Sequence, residues 1–261
     1  MVWRGRGRPM TAALNRGRRL ALAAGRQALG TVSRVETSQP VVALTFDDGP
    51  DPDATPRLLE ILERHGARGT FFMLGNAAQR RPDLVRRVAE GGHAIGNHSW
   101  DHPSFPFISG QERRRQIRAC ADAVRPYGAK LLRPPFGYQD LKSRLDAWGL
   151  GYWVVGWSLN TGDWYRKDVD GMVDQLRRQV TPGDIVLMHD ALFTKPAERE
   201  HHLTQMPHVS REEMLETVEA FLAGPVGALR FVTVPELLRS GRPTRRNWYV
   251  TDAADWERLG V

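Results

Sequence analysis

The 261-residue sequence predicts an α/β protein built around a parallel β-sheet. From residue 40 onward, strand-like and helix-like segments alternate, which is the order expected of successive βα units. Most strand-like segments are apolar along their whole length, as is typical of parallel strands that are covered on both faces. There are about seven such units, and seven units can form either a barrel or a doubly wound sheet.

Seven segments have the length and composition of strands, and helical patterns separate them. The strand-like segments are residues 41–46, 69–74, 93–98, 130–134, 151–159, 184–189 and 229–234. Apolar residues recur at helical spacing within residues 117–124, 169–180 and 214–222. Because no linker or internal repeat interrupts this order, we expect one domain at residues 40–240, with a long polar loop at residues 193–208.

Both ends of the chain lie outside this alternation. We expect residues 1–39 to form a basic, flexible extension and residues 241–261 to form a C-terminal appendage. Residues 1–35 contain eight arginines and no acid, so the net charge of +7 comes from the extension rather than from the domain. The extension could be a solvated tail, a peripheral contact with anionic membrane or nucleic acid, or an export signal in which Arg18 and Arg19 precede a short apolar stretch.

Composition narrows the class of protein. No run of about 18 apolar residues is present, so no transmembrane helix is expected. Cys120 is the only cysteine, which excludes an internal disulfide and a cysteine-rich zinc site, and we expect it to be a small buried side chain. The sequence leaves the location open between the bacterial cell envelope or exterior and the cytoplasm, because no clear signal peptide is present.

Polar residues follow the ends of five of the predicted strands. In a parallel α/β barrel these positions share the C-terminal rim, where active sites are built. Residues far apart in the sequence can therefore meet there. In strand order they are Asp47 and Asp48, His98 and His102, Arg133, Asp163 with Trp164, and His189 with Asp190.

Three of these side chains have the composition of a metal site. His98 and His102 are four residues apart, which on a helical turn would point both imidazoles the same way. With Asp48 they make three ligands and leave a position open for water, as in catalytic zinc sites. Nitrogen and oxygen ligands also admit Co²⁺, Ni²⁺ or Mn²⁺. Asp47 cannot easily bind the same ion, and we expect it to act as a general base for the activated water.

Five motifs occur in a fixed order along the chain: TFDDGP at residues 45–50, HSWDH at 98–102, RPPFG at 133–137, GDW at 162–164 and LMHD at 187–190. Together they resemble the polysaccharide deacetylase family, the zinc-dependent carbohydrate esterases with a NodB-homology domain. The resemblance covers about residues 40–240. It implies a distorted (β/α) barrel with about seven parallel strands, and hydrolysis of N-acetyl groups on amino sugars or of O-acetyl groups on some glycans.

The resemblance also implies a role for each motif residue. Asp47 is the general base, and Asp48, His98 and His102 bind the metal. Arg133 pairs with Asp47 and orients it, while His189 is the general acid that protonates the leaving amine. Asp163 tunes that histidine, Trp164 forms a wall of the pocket, and Leu187 lines the pocket for the acetyl methyl group.

Two positions depart from the family pattern. Phe136 stands where the family usually has tyrosine, but the implied contribution is a backbone N–H that helps to bind the oxyanion, so phenylalanine should preserve it. Asn160 stands where the family often has aspartate, which leaves the tuning of the site in question and not its chemistry.

The leading hypothesis is a metal-dependent N-deacetylase of an amino-sugar glycan: a polysaccharide, peptidoglycan or a chitooligosaccharide. The alternatives are a related hydrolase of a lipid-linked sugar or small amide, an inactive sugar-binding relative, and a binder of nucleic acid or anionic surfaces. The intact set of motif residues argues against an inactive relative. A nucleic-acid binder should have its basic patch on the folded body, so no specific nucleic-acid partner is expected.

Overall fold

The computed structural model describes residue 25, residues 29–193 and residues 210–246. The strands are β1 (Thr31–Glu36), β2 (Val41–Asp47), β3 (Gly69–Met73), β4 (Ala94–Asn97), β5 (Gly128–Leu132), β6 (Trp153–Val154), β7 (Leu159–Asn160), β8 (Ile185–His189), β9 (Arg230–Phe231) and β10 (Arg242–Arg246). The helices are α1 (Ala54–Arg64), α2 (Gly75–Arg80), α3 (Pro82–Glu90), α4 (Gly110–Ala123), α5 (Leu141–Gly149), α6 (Val169–Gln179), α7 (Glu212–Ala223) and α8 (Val234–Arg239). Short 3₁₀ turns occur at Phe105–Phe107 and Pro135–Gly137.

The main sheet is a curled half-barrel of parallel strands, which confirms the predicted distorted (β/α) barrel. The order across the sheet is β6-β5-β4-β3-β2-β8-β7, and β9 pairs with the start of β2. Strand β2 lies near the centre, between β3 and β8. Because neighbouring strands are parallel, their C-terminal ends lie along one rim, and Asp47 at the end of β2 is in register with His189 at the end of β8.

Strand β2 is apolar throughout because both of its faces are buried. Val42, Leu44 and Phe46 belong to the core between the sheet and the outer helices, which include α1 and α7. Val41 and Ala43 point the other way, into a second core inside the curled sheet. Successive side chains of a strand alternate between faces, so a strand with two dry faces shows no polar alternation.

The structure shortens two of the predicted strands. The segment predicted at 151–159 contains two separate strands, because β6 pairs with β5 at one edge of the sheet and β7 pairs with β8 at the other. Between them, Val155 bridges to Val32, and the carbonyls of Val155 and Gly156 accept from the side chain of Arg133. The segment predicted at 229–234 ends after residue 231. Thr233 caps α8 there, and its side chain and that of Glu236 bond to each other's backbone N–H groups in a capping box.

Strands β1 and β10 form a separate antiparallel pair that joins the two ends of the described chain. Val32 and Val35 of β1 are fully buried, Val32 bridges to Val155, and the N–H of Val35 donates to the carbonyl of Gly183. The folded unit therefore extends beyond the predicted limits of 40 and 240. The rest of the predicted extension and appendage, and residues 194–208 of the predicted loop with their three histidines, lie outside the described residues.

Other features of the described chain agree with the sequence. Cys120 is fully buried, as predicted, and burial raises the pKa of its thiol to about 12. Within residues 29–193 and 210–246, no helix has the length and apolar character needed to cross a lipid bilayer.

Strand β1 provides a test of where the folded unit begins. A variant starting at Leu29 should have the free energy of unfolding of the full chain, because it keeps β1. A variant starting at Gln39 loses two buried valines and the partner of β10, which should cost roughly 3 kcal/mol or more of unfolding free energy. Urea titrations followed by circular dichroism measure both variants. Equal stability of the two would show that β1 is not part of the folded unit.

Candidate active site

Asp48, His98 and His102 converge in a buried cluster at the C-terminal rim of the sheet. Oδ1 of Asp48 lies 3.3 Å from Nε2 of His98 and 3.3 Å from Nε2 of His102. One ligand atom from each residue lies within 4.8 Å of the other two. These are the three ligands expected from the sequence, and their donor atoms face a common point.

The orientation of His98 is fixed by the strand beside it. His98 follows β4, and its Nδ1 lies 2.7 Å from the backbone carbonyl oxygen of Arg133, which follows β5. A carbonyl can only accept, so Nδ1 carries a proton and Nε2 is the ring nitrogen that faces Oδ1 of Asp48. This is the usual way in which a ligating histidine is held in one tautomer.

His102 reaches the cluster by a turn and not by the helical turn considered from the sequence. Ser99 and His102 both have positive φ, at 72° and 62°. The N–H of Ser99 donates to Oδ1 of Asn97, and the N–H of His102 donates to Oγ of Ser99. The spacing of four residues thus brings the imidazoles together through side-chain hydrogen bonds that tighten the loop.

Backbone strain in the described chain is concentrated at this cluster. Among the residues that the structure describes, four that are not glycine have positive φ: Asp48, Ser99, His102 and Phe136. Two are ligand candidates, one shapes the ligand turn, and the ring of Phe136 packs 4.3 Å from that of His102. Left-handed conformations cost non-glycine residues free energy and are kept where the surroundings enforce them.

The cluster fits a divalent cation. Burial opposes ionisation of Asp48, but the adjacent histidines outweigh it and hold the pKa of Asp48 below its usual value, so the carboxylate is charged. Its Oδ1 is buried, and no group among the described residues makes a hydrogen bond to it. Its Oδ2 accepts from the N–H of Phe193. A buried carboxylate oxygen left between two imidazole nitrogens is suited to Zn²⁺ and to the other metals that accept nitrogen and oxygen ligands.

Asp47 is adjacent in sequence but belongs to a different pair. Its Oδ1 accepts a hydrogen bond of 2.7 Å from Nη1 of Arg133, which is completely buried. The same guanidinium donates to Thr45 Oγ1 and to the carbonyls of Val155 and Gly156. Oδ2 of Asp47 lies 3.8 Å from Nε2 of His98 and so faces the metal candidates.

His189 and Asp163 form a second acid–base pair on the same rim. Nδ1 of His189 lies 3.1 Å from Oδ1 of Asp163, and the N–H of His189 donates to Oδ2. Burial disfavours the charged imidazole, but the charge and hydrogen bond of Asp163 outweigh it and raise the pKa of His189 to about 9. The Trp164 ring meets His189 edge-on at 5.3 Å.

The predicted pocket residues lie beside these groups. Leu187 is two residues before His189 on β8 and belongs to the inner core, against which Trp164 and Tyr138 pack. Phe136 is 45% exposed at the rim beside His102, so its ring is available to a ligand. Asn160 serves as a turn former, because its Oδ1 accepts from the N–H of Gly162. The structure thus brings all ten predicted site residues to one rim.

Two further polar residues, Thr45 and Arg211, were not predicted as part of the site, and Asp190 was expected at this rim without an assigned role. Thr45 holds Arg133, and its position as a polar residue within an apolar strand is a signal that could have revealed it. Asp190 accepts from Thr55 Oγ1 at 2.5 Å and packs against Gly49, where an added Cβ would lie 2.3 Å from its Oδ2. Arg211 is the residue before α7, and its guanidinium donates to Oδ2 of Asp163 at 3.0 Å. Nothing in the local sequence distinguishes it from a surface arginine.

Comparisons with known proteins agree with this fold. The family model for polysaccharide deacetylases matches residues 34–155. A peptidoglycan-N-acetylglucosamine deacetylase of Bacillus cereus is 38% identical over 152 residues, which cover 57% of this chain and 55% of that protein. A chitooligosaccharide deacetylase of Sinorhizobium fredii is 36% identical over 166 residues, which cover 62% of this chain and 77% of that protein.

A solved structure extends the similarity over most of the domain. The crystal structure of a peptidoglycan N-acetylglucosamine deacetylase matches with a TM-score of 0.71 and 26% identity, and covers 86% of this chain and 99% of that one. The chain belongs to the polysaccharide deacetylase family. It spans about half the length of the Bacillus cereus relative.

The different partners of Asp47 and Asp48 predict different effects of substitution. Asp48→Ala should greatly reduce binding of Zn²⁺, because it removes the carboxylate oxygen that lies beside both histidines. Asp47→Asn should leave Zn²⁺ binding nearly unchanged, because its Oδ1 bonds to Arg133. Isothermal titration of metal-free protein with Zn²⁺ measures both variants. Loss of binding in Asp47→Asn to the same degree as in Asp48→Ala would mean that both carboxylates are ligands.

Proposed function

We propose that this protein hydrolyses the N-acetyl groups of an amino-sugar glycan with the aid of a divalent cation, most simply Zn²⁺. One observation carries the proposal: two buried ion pairs, Asp47 with Arg133 and His189 with Asp163, flank the Asp48, His98 and His102 cluster on one rim. Asp47 is paired with a cation, and His189 is paired with an anion. Hydrolysis of an amide needs a base to activate water and an acid to protonate the departing nitrogen.

Asp47 is placed to act as the base. Arg133 stabilises the ionised carboxylate through Oδ1 and so leaves Oδ2 free to face His98 and the cluster. Because the guanidinium also bonds to Thr45 Oγ1 and to the carbonyls of Val155 and Gly156, it holds the carboxylate in one orientation. A water between Oδ2 and the cluster could then lose its proton to Asp47.

His189 is placed to act as the acid. With a pKa of about 9, its imidazole is protonated near neutral pH. Nδ1 is engaged with Asp163, so the proton to be transferred is the one on Nε2. That proton can pass to the amine nitrogen as its bond to the acetyl carbon breaks.

The cation would be held by Asp48, His98 and His102, and when bound it would polarise the acetyl carbonyl and lower the pKa of water. We propose that Leu187 and Trp164 enclose the acetyl methyl group, since both border the inner apolar core beside His189. The positive φ of Phe136 turns the backbone sharply at the rim, and we propose that its N–H binds the developing oxyanion.

The proposed substrate class rests on the residues at the rim and on the relatives. A small apolar acetyl site bordered by an exposed ring, that of Phe136, suits an N-acetylated sugar of a longer glycan, and the relatives are named for peptidoglycan and chitooligosaccharides. An amide on a lipid-linked sugar or a small amide would use the same machinery. We separately propose that the arginine-rich extension contacts anionic membrane. Most of that extension lies outside the residues that the structure describes.

Acetate release tests the proposed activity directly. The zinc-loaded full chain should release acetate from chitin oligomers, peptidoglycan or poly-N-acetylglucosamine, and Asp47→Asn should lower kcat by roughly 10²–10⁴, the usual contribution of a general base. The control is acetylated xylan, which carries only ester-linked acetyl groups. Release from xylan alone would replace the N-deacetylase proposal with an O-deacetylase.

The pH dependence tests the acid. Activity requires protonated His189, so it should fall as the pH rises through the pKa of that residue, which stands at about 9. Asp163→Asn removes the charge that raises this pKa and should move the alkaline limb of kcat/KM to lower pH. Measuring kcat/KM from pH 5 to 10 on one soluble chitooligosaccharide gives the alkaline limb of the unmodified protein and that of the variant. An alkaline limb that stays in place in Asp163→Asn contradicts the pairing.

A further inference from the structure

Among the described residues, Arg211 is the one cationic side chain besides His189 that contacts Asp163. It precedes α7, its side chain is about nine-tenths buried, and it lies outside the five motifs. Its Nη1 donates to Oδ2 of Asp163 at 3.0 Å. Its Nη2 donates to the backbone carbonyl of Asp163 at 3.2 Å, and its Nη1 also reaches the carbonyl of His189 at 3.4 Å.

We propose that Arg211 is a positioning residue for the acid His189: it fixes the carboxylate of Asp163 and offsets part of its charge. The inference rests on the proposed function, in which His189 donates a proton. Arg211 has no contact with the cluster of metal candidates among the described residues, so it would act through Asp163.

Fixing is the first part of this role. Oδ1 of Asp163 faces Nδ1 of His189 and also accepts from Thr161 Oγ1. Oδ2 accepts from the N–H of His189 and from Arg211. Because the guanidinium also binds the backbone carbonyls of Asp163 and His189, it ties the two residues of the pair together. Without it, the carboxylate would lose its strongest partner on the side away from the imidazole.

Charge is the second part. The charged groups that face His189 are Asp163 beside it, Asp47 at the end of the neighbouring β2, Asp48 directly after that strand, and Arg211 behind Asp163. Three anions favour the imidazolium, and Arg211 opposes them. A general acid with too high a pKa transfers its proton poorly, so an opposing charge keeps the acid effective.

A purely structural role is the alternative, in which Arg211 only fastens the start of α7. The chain offers a matched control for this. Arg57 of α1 makes a bidentate salt bridge with Glu212, the first residue of α7. It therefore holds the same end of α7 without contacting His189 or Asp163. Arg57→Gln should therefore reproduce any effect that comes from loosening α7.

The experiment compares Arg211→Gln, Arg211→Lys and Arg57→Gln in the full chain. The pKa of His189 is measured by NMR titration of its imidazole, with and without Zn²⁺, and kcat is measured from pH 5 to 10. Arg211→Gln should raise the pKa of His189 by about one unit, the size expected for a lost charge a few ångströms away. It should also lower kcat by roughly tenfold through misplacement of the acid, with little change in KM.

Arg211→Lys keeps the charge but not the forked geometry. Its His189 should keep the pKa of the unmodified protein, while kcat recovers only in part. Arg57→Gln should change neither quantity. An unchanged or lowered pKa of His189 in Arg211→Gln, or an equal effect in Arg57→Gln, overturns the proposal. Because the NMR titration needs no substrate, failure of the chain to release acetate from any glycan would refute the proposed function without deciding the role of Arg211.

Discussion

Arg133 carries a full positive charge into a position that water does not reach, and the rest of the site depends on how that charge is accommodated. A buried charge is tolerated only when it is paired and its hydrogen-bonding groups are satisfied. The guanidinium meets Asp47, Thr45 and two backbone carbonyls, and its carbon lies 4.2 Å above the Phe72 ring. The backbone carbonyl of Arg133 meanwhile accepts from His98. One residue thus orients both the proposed base and a metal candidate.

The same accommodation explains a local irregularity of the sheet. The chain passes from β6 at one edge of the sheet to β7 at the other, and on the way the carbonyls of Val155 and Gly156 turn toward Arg133. Strand β1 packs against this segment: Val32 bridges to Val155, and the carbonyl of Val32 accepts from the N–H of Gly156. The buried arginine, the divided strand and the docking of β1 are therefore connected.

Much of the fold and most of the site could be predicted because both follow from patterns that are local in sequence. Apolar strands followed by polar residues place those residues on one rim, and the structure brings Asp48, His98 and His102 together there. The features that could not be predicted depend on partners that are distant in the sequence. Val32 and Val35 lie in an arginine-rich stretch, and only the contact with β10 and Val155 shows them to be core residues. Arg211 is separated from Asp163 by 48 residues, and no local pattern marks that pairing.

Two adjacent carboxylates at the end of a buried strand can coexist because the backbone separates them. Asp47 is the last residue of β2 and keeps the strand conformation, which directs it to Arg133. Asp48 has a φ of 73°, which turns its side chain to the two histidines instead. The next residue must be glycine, because a Cβ on Gly49 would collide with Asp190. Strain at one residue thus places neighbouring acids in two different electrostatic environments, one beside a guanidinium and one between imidazoles. Such divergent environments allow identical side chains to do different chemical work.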